Sequence, residues 1–246
     1  MKRDHWLNSI AVLCNFFYGK KFKAEKEQPE LWMIPLVGMI PGGLCTIFSG
    51  ICFYLMGSSG TGVLSAIILP LFLEILNGWK GITIPVFRLE QFLASRNWSG
   101  EESAKITKGM QSQIYLASMY LFRMGLFGLL ASRGSSIWFL FALGGAYLIR
   151  GEYLTGGEYD DDAPKYGNWY LLGIGFLVIA VLSFSMHAIL SVPIVLLVVW
   201  LLLMWFRNCF WKNQKTDSQE MDFYGSVTEN LLLIIGLILS GGPVHG

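Results

Sequence analysis

Charge is what this sequence has least of. Of its 246 residues 14% are charged, against roughly 25% in an ordinary soluble domain. The scarcity is uneven. From Trp169 to Phe206, 38 consecutive residues include one histidine and no Asp, Glu, Lys or Arg. A water-facing helix needs a polar face, so no soluble element is written this way. That run excludes a soluble enzyme, a disordered tail and a nucleic-acid module, and points to an integral membrane protein. The net charge of +1 offers no global field to draw in polyanions.

Metal-binding and phosphate-binding signatures are absent as well. Cys14, Cys45, Cys52 and Cys209 show no CxxC or CxxH spacing. Three of them lie in or beside apolar runs, as buried small hydrophobes do. His5, His187 and His245 are scattered, which argues against zinc. No GxxxxGK[ST] loop occurs, and Gly156–Gly157 is a turn signal only. No Ala-x-Ala-like site follows the apolar stretch Ile10–Tyr18, so a cleavable signal peptide is not expected.

What the chain has in quantity is apolar residues, 54% of the total. A spanning helix needs about 20 of them in a row, because the hydrocarbon is roughly 30 Å thick. Seven stretches are candidates: Leu31–Met56, Gly62–Leu76, Ile114–Ala131, Ser136–Ile149, Trp169–Ser185, His187–Phe206 and Asn230–Gly246. The second and fourth are short, which calls for tilt, extension by polar flanks or a re-entrant path. Trp6–Tyr18 has the look of an interfacial amphipathic helix, with Lys20, Lys21, Lys23 and Lys26 just beyond it. The expected fold is therefore all-α: one integral membrane domain over residues 1–246, a polytopic bundle of about seven transmembrane helices plus an N-terminal interfacial helix.

Orientation follows from the cations. The N-terminal thirty residues and the loops 77–113, 150–168 and 207–229 hold 16 of the 18 Lys and Arg. The opposite connections (57–61, 132–135 and 186) hold Arg133 alone, and Arg123 falls inside a span. The N-terminus and the three long loops are thus expected in the cytoplasm and the C-terminus outside, in a plasma or bacterial inner membrane.

Within the spans, Glu74 and Arg123 are the ionisable residues, where a charge costs at least ~2.5–3.5 kcal/mol on insertion scales. They could pair across two helices, or Glu74 could sit at a helix end. Small-residue spacings such as Gly38 with Gly42 and Gly125 with Gly128 allow close helix packing. Pro35, Pro41, Pro70 and Pro193 should kink their spans. If there is chemistry, its polar groups come from the cytoplasmic loops. Asp160–Asp162 could hold a hard cation, although such a run is more often a solvated turn. In the third loop, Asp222, Gly225 and Glu229 lie at i, i+3 and i+7, so on a helix they share one face. Carboxylates at a bundle mouth, with a glycine between them, suit Mg²⁺ shared with a phosphate.

At these residues the sequence resembles the cobalamin-5′-phosphate synthases, the adenosylcobinamide-GDP ribazoletransferases. Ser9–Lys20 followed by MIPLVGMIPGG at Met33–Gly43 is similar to the family's start, where a Phe-Pro-Leu-Val-Gly segment leads into a Gly-rich first span. ILPLFLEILNGWKG falls where that family turns from a span into its acidic loop. Asp222-Phe-Tyr-Gly-Ser-Val-Thr-Glu229 resembles the closing Gly-Asp-x-x-Gly-Ala-x-x-Glu pattern. The chain departs from the family in the first loop. Gly81, Thr83 and Phe87 stand where the His and the first two acids of a His-x-Asp-Gly-x-x-Asp-x-x-Asp-Gly motif would fall, and Glu90 alone remains near the third. Further on, Lys108 keeps the Lys of a Lys-Asp-Ser piece whose Asp is lost.

The resemblance implies a membrane-bound transferase of cobalamin biosynthesis. It would join adenosylcobinamide-GDP to α-ribazole or its 5′-phosphate, with release of GMP. Asp222 and Glu229 would be catalytic, Lys108 and Gly225 substrate-binding, and Asp222, Glu229 and Glu90 the ligands of Mg²⁺. The lost acids support another expectation, a catalytically inactive paralogue serving as a membrane interaction protein. A small transporter using Glu74 and Arg123 is the third, although no inverted repeat is evident. The expected partners are membrane lipid and, for an active enzyme, the activated corrinoid and α-ribazole. No nucleic acid is expected, and a homo-oligomer is left open.

Overall fold

The computed structural model describes residues 34–76, 80–95, 104–155, 186–210 and 218–241. They form six helices and no strand: α1 (Ile34–Leu76), α2 (Lys80–Ser95), α3 (Ala104–Ser132), α4 (Ile137–Thr155), α5 (Met186–Phe210) and α6 (Ser218–Leu239). Four are long and apolar enough to cross a membrane, with windows Gly38–Leu76, Ser112–Ser132, Ile189–Phe206 and Asp222–Leu239. The expected interfacial helix Trp6–Tyr18, the span Trp169–Ser185 and the run Asp160–Asp162 lie outside the described residues.

The first element is two helical stretches that meet at a kink. Gly57 takes φ 70° and ψ −173°, a conformation open to a residue without Cβ. On a straight helix, Ser49 and Ser65 would stand about 24 Å apart. Their hydroxyls instead lie 3.2 Å from each other. The chain therefore doubles back, and α1 is a hairpin of two limbs, 34–56 and 58–76. The reversal falls inside the 57–61 stretch that separates the first two apolar runs of the sequence.

Glycines set the spacing between the limbs and their neighbours. In lipid there is little hydrophobic gain from pairing helices, so close backbone approach and dispersion carry the association. A Cβ on Gly42 would stand 2.7 Å from the Leu140 Cα, and one on Gly38 would meet Tyr147 and the Leu143 carbonyl. The first limb is thereby seated against α4. The second limb meets α3 through Gly62 and Gly128, where a Cβ on Gly128 would stand 3.0 Å from the Gly62 carbonyl. At the far end of α3, the Ser135 N–H bonds the Leu130 carbonyl at 2.9 Å and the Gly134 N–H bonds that of Ala131 at 3.0 Å. This is a Schellman stop with Gly134 at φ 68°. It hands the chain to α4, and Thr46 of the first limb fastens that corner with a 2.9 Å bond to the Ser136 carbonyl.

Helix α4 is the centre. Every residue from Trp138 to Ile149 is buried, and Arg150 with them. An apolar stretch of fourteen residues, Ile137–Arg150, suffices here because protein rather than lipid surrounds it. A polar flank then extends the helix to Thr155. Phe127 stacks on Phe139 at 4.7 Å, and Phe206 lies over Tyr224 at 4.5 Å, joining α3 to α4 and α5 to α6.

The distribution of polarity is inverted. Ile40, Leu44, Ile47 and Ile51 are exposed at helical spacing, as are Leu190, Ile194, Leu197, Leu201 and Trp205. Ser49, Thr61, Ser65, Glu74, Arg123, Arg150, Ser226, Thr228 and Glu229 are buried. Apolar stripes of this length facing outward are what a lipid surround requires.

The last helix corrects the sequence reading. From sequence, the third loop runs to Glu229 and the last span starts at Asn230. The structure begins α6 at Ser218, with its apolar window opening at Asp222. The acids do not interrupt the span because they face arginines inside the bundle. At the other end, Arg133 donates to the Leu237 carbonyl at 2.9 Å.

Substituting Gly42 by alanine forces backbone apart and should cost about 1–3 kcal/mol of overpacking. Gly50→Ala, where a Cβ meets nothing within 4 Å, should change stability by no more than about 0.5 kcal/mol. Reversible unfolding in detergent or bicelles compares the two.

Candidate functional site

Three buried charges meet where α1, α3 and α6 converge. Glu74 stands near the end of the second limb, Arg123 in the middle of α3 and Glu229 two turns into the apolar window of α6. The Arg123 guanidinium donates through Nη1 to Glu74 Oε1 and through Nη2 to Glu229 Oε1. All three side chains are 0% exposed. A guanidinium suits this place because its donors fan out in a fixed plane and can serve two carboxylates at once.

Helix α2 closes over the triad. The Gly81 Cα lies so near the Glu74 carboxylate and the Arg123 guanidinium that any Cβ there would collide with both. The first turn of α2, at Ile82, lies against the Glu74 carboxylate. The positive end of the α2 dipole thus faces an anion, the favourable sense. Gly81 occupies the place where the resemblance would put a histidine. Here the small residue makes room for the ion pair.

A second pair lies one to two turns nearer the start of α6. Arg150 Nε is 3.8 Å from Asp222 Oδ1. The same guanidinium sits 4.8 Å from the centre of the Tyr147 ring, a cation–π contact. Gly225 faces the Arg150 side chain, which fills the volume a Cβ would need. The shared face of Asp222, Gly225 and Glu229 therefore exists as the i, i+3, i+7 spacing requires. What it meets is two arginines from neighbouring helices.

The expected site residues are thus brought together only in part. Asp222, Gly225 and Glu229 lie within one network. Glu90 is on α2 and Lys108 on α3, but their side chains fall outside the described residues. Pairing of Glu74 with Arg123, one of two options open from sequence, is found. Sequence reasoning missed Glu229 as the third member, because it was assigned to a loop, and counted Arg150 among loop cations. The clue was available: two acids and a glycine at helical spacing ran directly into an apolar stretch with no intervening turn residue.

A divalent cation finds no cage here among the described residues. Asp222 and Glu229 each face a guanidinium, and no group of three or more His, Cys, Asp and Glu side chains is gathered among the described residues. Cys45 and Cys52 are free and buried, as small hydrophobes are. Six buried polar atoms around the network have no hydrogen-bond partner: Glu74 Oε2, Arg123 Nε, Arg150 Nε, Ser226 Oγ, Glu229 Oε2 and Asn230 Oδ1.

Removing one partner of a buried ion pair strands the other, at about 3–5 kcal/mol. Arg123→Ala strands two carboxylates and should be the most destabilising single change in the network. Arg123→Lys should rescue it poorly, since an ammonium lacks the planar fork. Glu74→Gln and Glu229→Gln should each cost less than Arg123→Ala. Folded yield and unfolding midpoint in detergent rank the four variants. Comparison with protein-family models, with curated proteins and with solved structures finds no match to this chain.

Proposed function

We propose that this chain is a catalytically silent membrane protein of the cobalamin-phosphate-synthase layout, acting as an interaction partner within a membrane-bound metabolic complex. One observation carries this: the acids that the resemblance would assign to Mg²⁺ and catalysis, Asp222 and Glu229, face Arg150 and Arg123 inside the bundle. A group-transfer site for a nucleotide-linked substrate needs carboxylates that can reach a metal and a hydroxyl proton. Here Glu229 is fully buried and already bonded, and Gly225 is covered by Arg150. The proposal includes a plasma or bacterial inner membrane with the cation-rich loops and the N-terminus on the cytoplasmic side, on the distribution of Lys and Arg.

The transferase reading keeps one supporting observation. Asp222, Gly225 and Glu229 do share a helix face, toward the end of the bundle where α1 finishes and α2 and α6 begin. In that reading adenosylcobinamide-GDP and α-ribazole (or its phosphate) would be substrates, with Glu90 and Lys108 completing the site.

Complementation of a bacterial strain lacking the synthase separates the two. With membrane expression verified, no vitamin should be made. Growth without added cobalamin, abolished by Asp222→Ala, would establish the transferase instead. In-membrane cross-linking followed by purification should return a stable protein partner, and recovery of the chain alone would remove the interaction role.

A further inference from the structure

Among the described helices, α4 and α5 follow one another in the chain and point the same way. Helix α4 runs against α6: Arg150 meets Asp222 in the second turn of α6, and Trp138 lies against Gly236 near its end. Helix α5 runs against α6 as well. A Cβ on Gly145 of α4 would stand 2.6 Å from Leu232 Cδ1 and 3.0 Å from Val199 Cγ2, so Leu232 and Val199 share a level. About two turns further along α5, Phe206 lies over Tyr224, toward the start of α6. Two helices antiparallel to a third are parallel to each other.

The elements before them alternate in direction, with the short α2 laid across one end. The first limb passes α4 from Gly38, beside Tyr147, to Thr46, whose hydroxyl bonds the Ser136 carbonyl. The second limb returns from Gly62, beside Ser132, to Glu74, beside Arg123. Helix α3 then runs back to the Gly134 corner, and α4 sets off from it in the opposite sense. Alternation breaks at the step from α4 to α5, and the break has a length. Gly145 and Val199 mark a common level; Thr155, the end of α4, is ten residues beyond the one, and Met186, the start of α5, is thirteen before the other. The two ends therefore stand about 35 Å apart along the bundle, more than the roughly 30 Å of hydrocarbon.

We infer that Thr155 and Met186 lie on opposite faces of the membrane, so that the chain passes once through the bilayer between α4 and α5. Helix direction is a ground for this that owes nothing to hydropathy. The 30 residues 156–185 include the uncharged run 169–185 and suffice for the passage, which takes about 23 residues at helical rise. The start of α1 and the end of α6 then come to opposite faces. The hairpin reversal at Gly57, the Gly134 corner, Met186 and Gly241 share one face; Leu76, Thr155, Phe210 and Ser218 share the other. A soluble partner can therefore grip the ends of α4 and α5 together from one face, and reach the start of α5 from the other face alone. The inference is independent of the interaction reading and holds equally for a silent protein or a transferase.

The test uses the full chain with Cys14 and Cys209 replaced by serine, while Cys45 and Cys52 stay buried. Single cysteines are introduced as Ser58→Cys, Ser135→Cys, Thr155→Cys, His187→Cys and Ser218→Cys. A membrane-impermeant maleimide is applied to intact cells and to inside-out vesicles. Positions 58, 135 and 187 should label from one side, and positions 155 and 218 from the other. Labelling of 155 and 187 from the same side overturns the inference, as does labelling of 135 and 187 from opposite sides. A second measurement does not depend on access from either side. Spin labels attached in detergent at 155 and 187 of one chain, followed by reconstitution into bilayers, should report a separation of about 35 Å. A separation under about 20 Å, too short to cross the hydrocarbon, overturns it whatever the maleimide does.

Discussion

A guanidinium placed in the interior of a membrane bundle dictates a great deal of what surrounds it. Arg123 cannot be left alone in a medium without water, and it cannot be served by its own helix, whose carbonyls are already bonded. It must be met by acids from other elements. Glu74 supplies one at the return end of the α1 hairpin, and Glu229 supplies another on α6. That single requirement fixes how α1, α3 and α6 meet, and it favours glycine at position 81, where a Cβ would collide with the Glu74 and Arg123 side chains. It also explains why α6 carries carboxylates through a stretch that is otherwise hydrophobic enough to span.

Two different kinds of adhesion divide the bundle. The hairpin is held against α3 and α4 by small residues, with Gly38, Gly42, Gly62 and Gly128 bringing backbones into near contact. Such contacts are short-ranged and unforgiving of added atoms, but they leave no charge to satisfy. The ion network ties the same elements at the end where α1 finishes and α6 begins. Between the two lies α4, buried on all sides, whose aromatic side chains fill the space that glycine does not. Outside this frame long stripes of exposed residues are aliphatic and aromatic, while Ser49, Thr61, Ser65, Ser226, Thr228 and the Glu74–Arg123–Glu229 ions lie within.

Part of the span pattern was legible in the sequence, because a hydrocarbon slab imposes a length and a composition at once; against seven candidates, the described residues supply four helices long and apolar enough to cross. The reversal at 57–61, the apolar run at 114–131 and the stretch to Phe206 needed nothing else. Glu74 and Arg123 were also legible, since a charge inside an apolar run asks for a partner. The start of the last helix was not. Hydropathy sums treat Asp222 and Glu229 as full charges, whereas in the fold each is opposed by an arginine some 70 to 110 residues earlier in the chain. Arg150 was hidden for a related reason: it sits at the boundary between an apolar run and a loop, and only the tertiary packing of α4 decides that it points inward. Charge pairing across long sequence separations has no local signature. What the chain spacing did preserve was the shared face of residues 222, 225 and 229.

Helix α6 is fastened at both ends by opposite signs. Asp222, in the second turn, faces Arg150, and the Leu237 carbonyl, in the last turn, takes a hydrogen bond from Arg133. The anion lies toward the positive pole of the helix dipole and the cation at the negative pole. An axial slip of one residue, about 1.5 Å, would loosen both fastenings together and pull Glu229 from Arg123 as well. The helix is therefore indexed along its axis like a bolt held by two pins. Any rearrangement of this bundle has to proceed by other elements moving around α6, not by α6 moving through them.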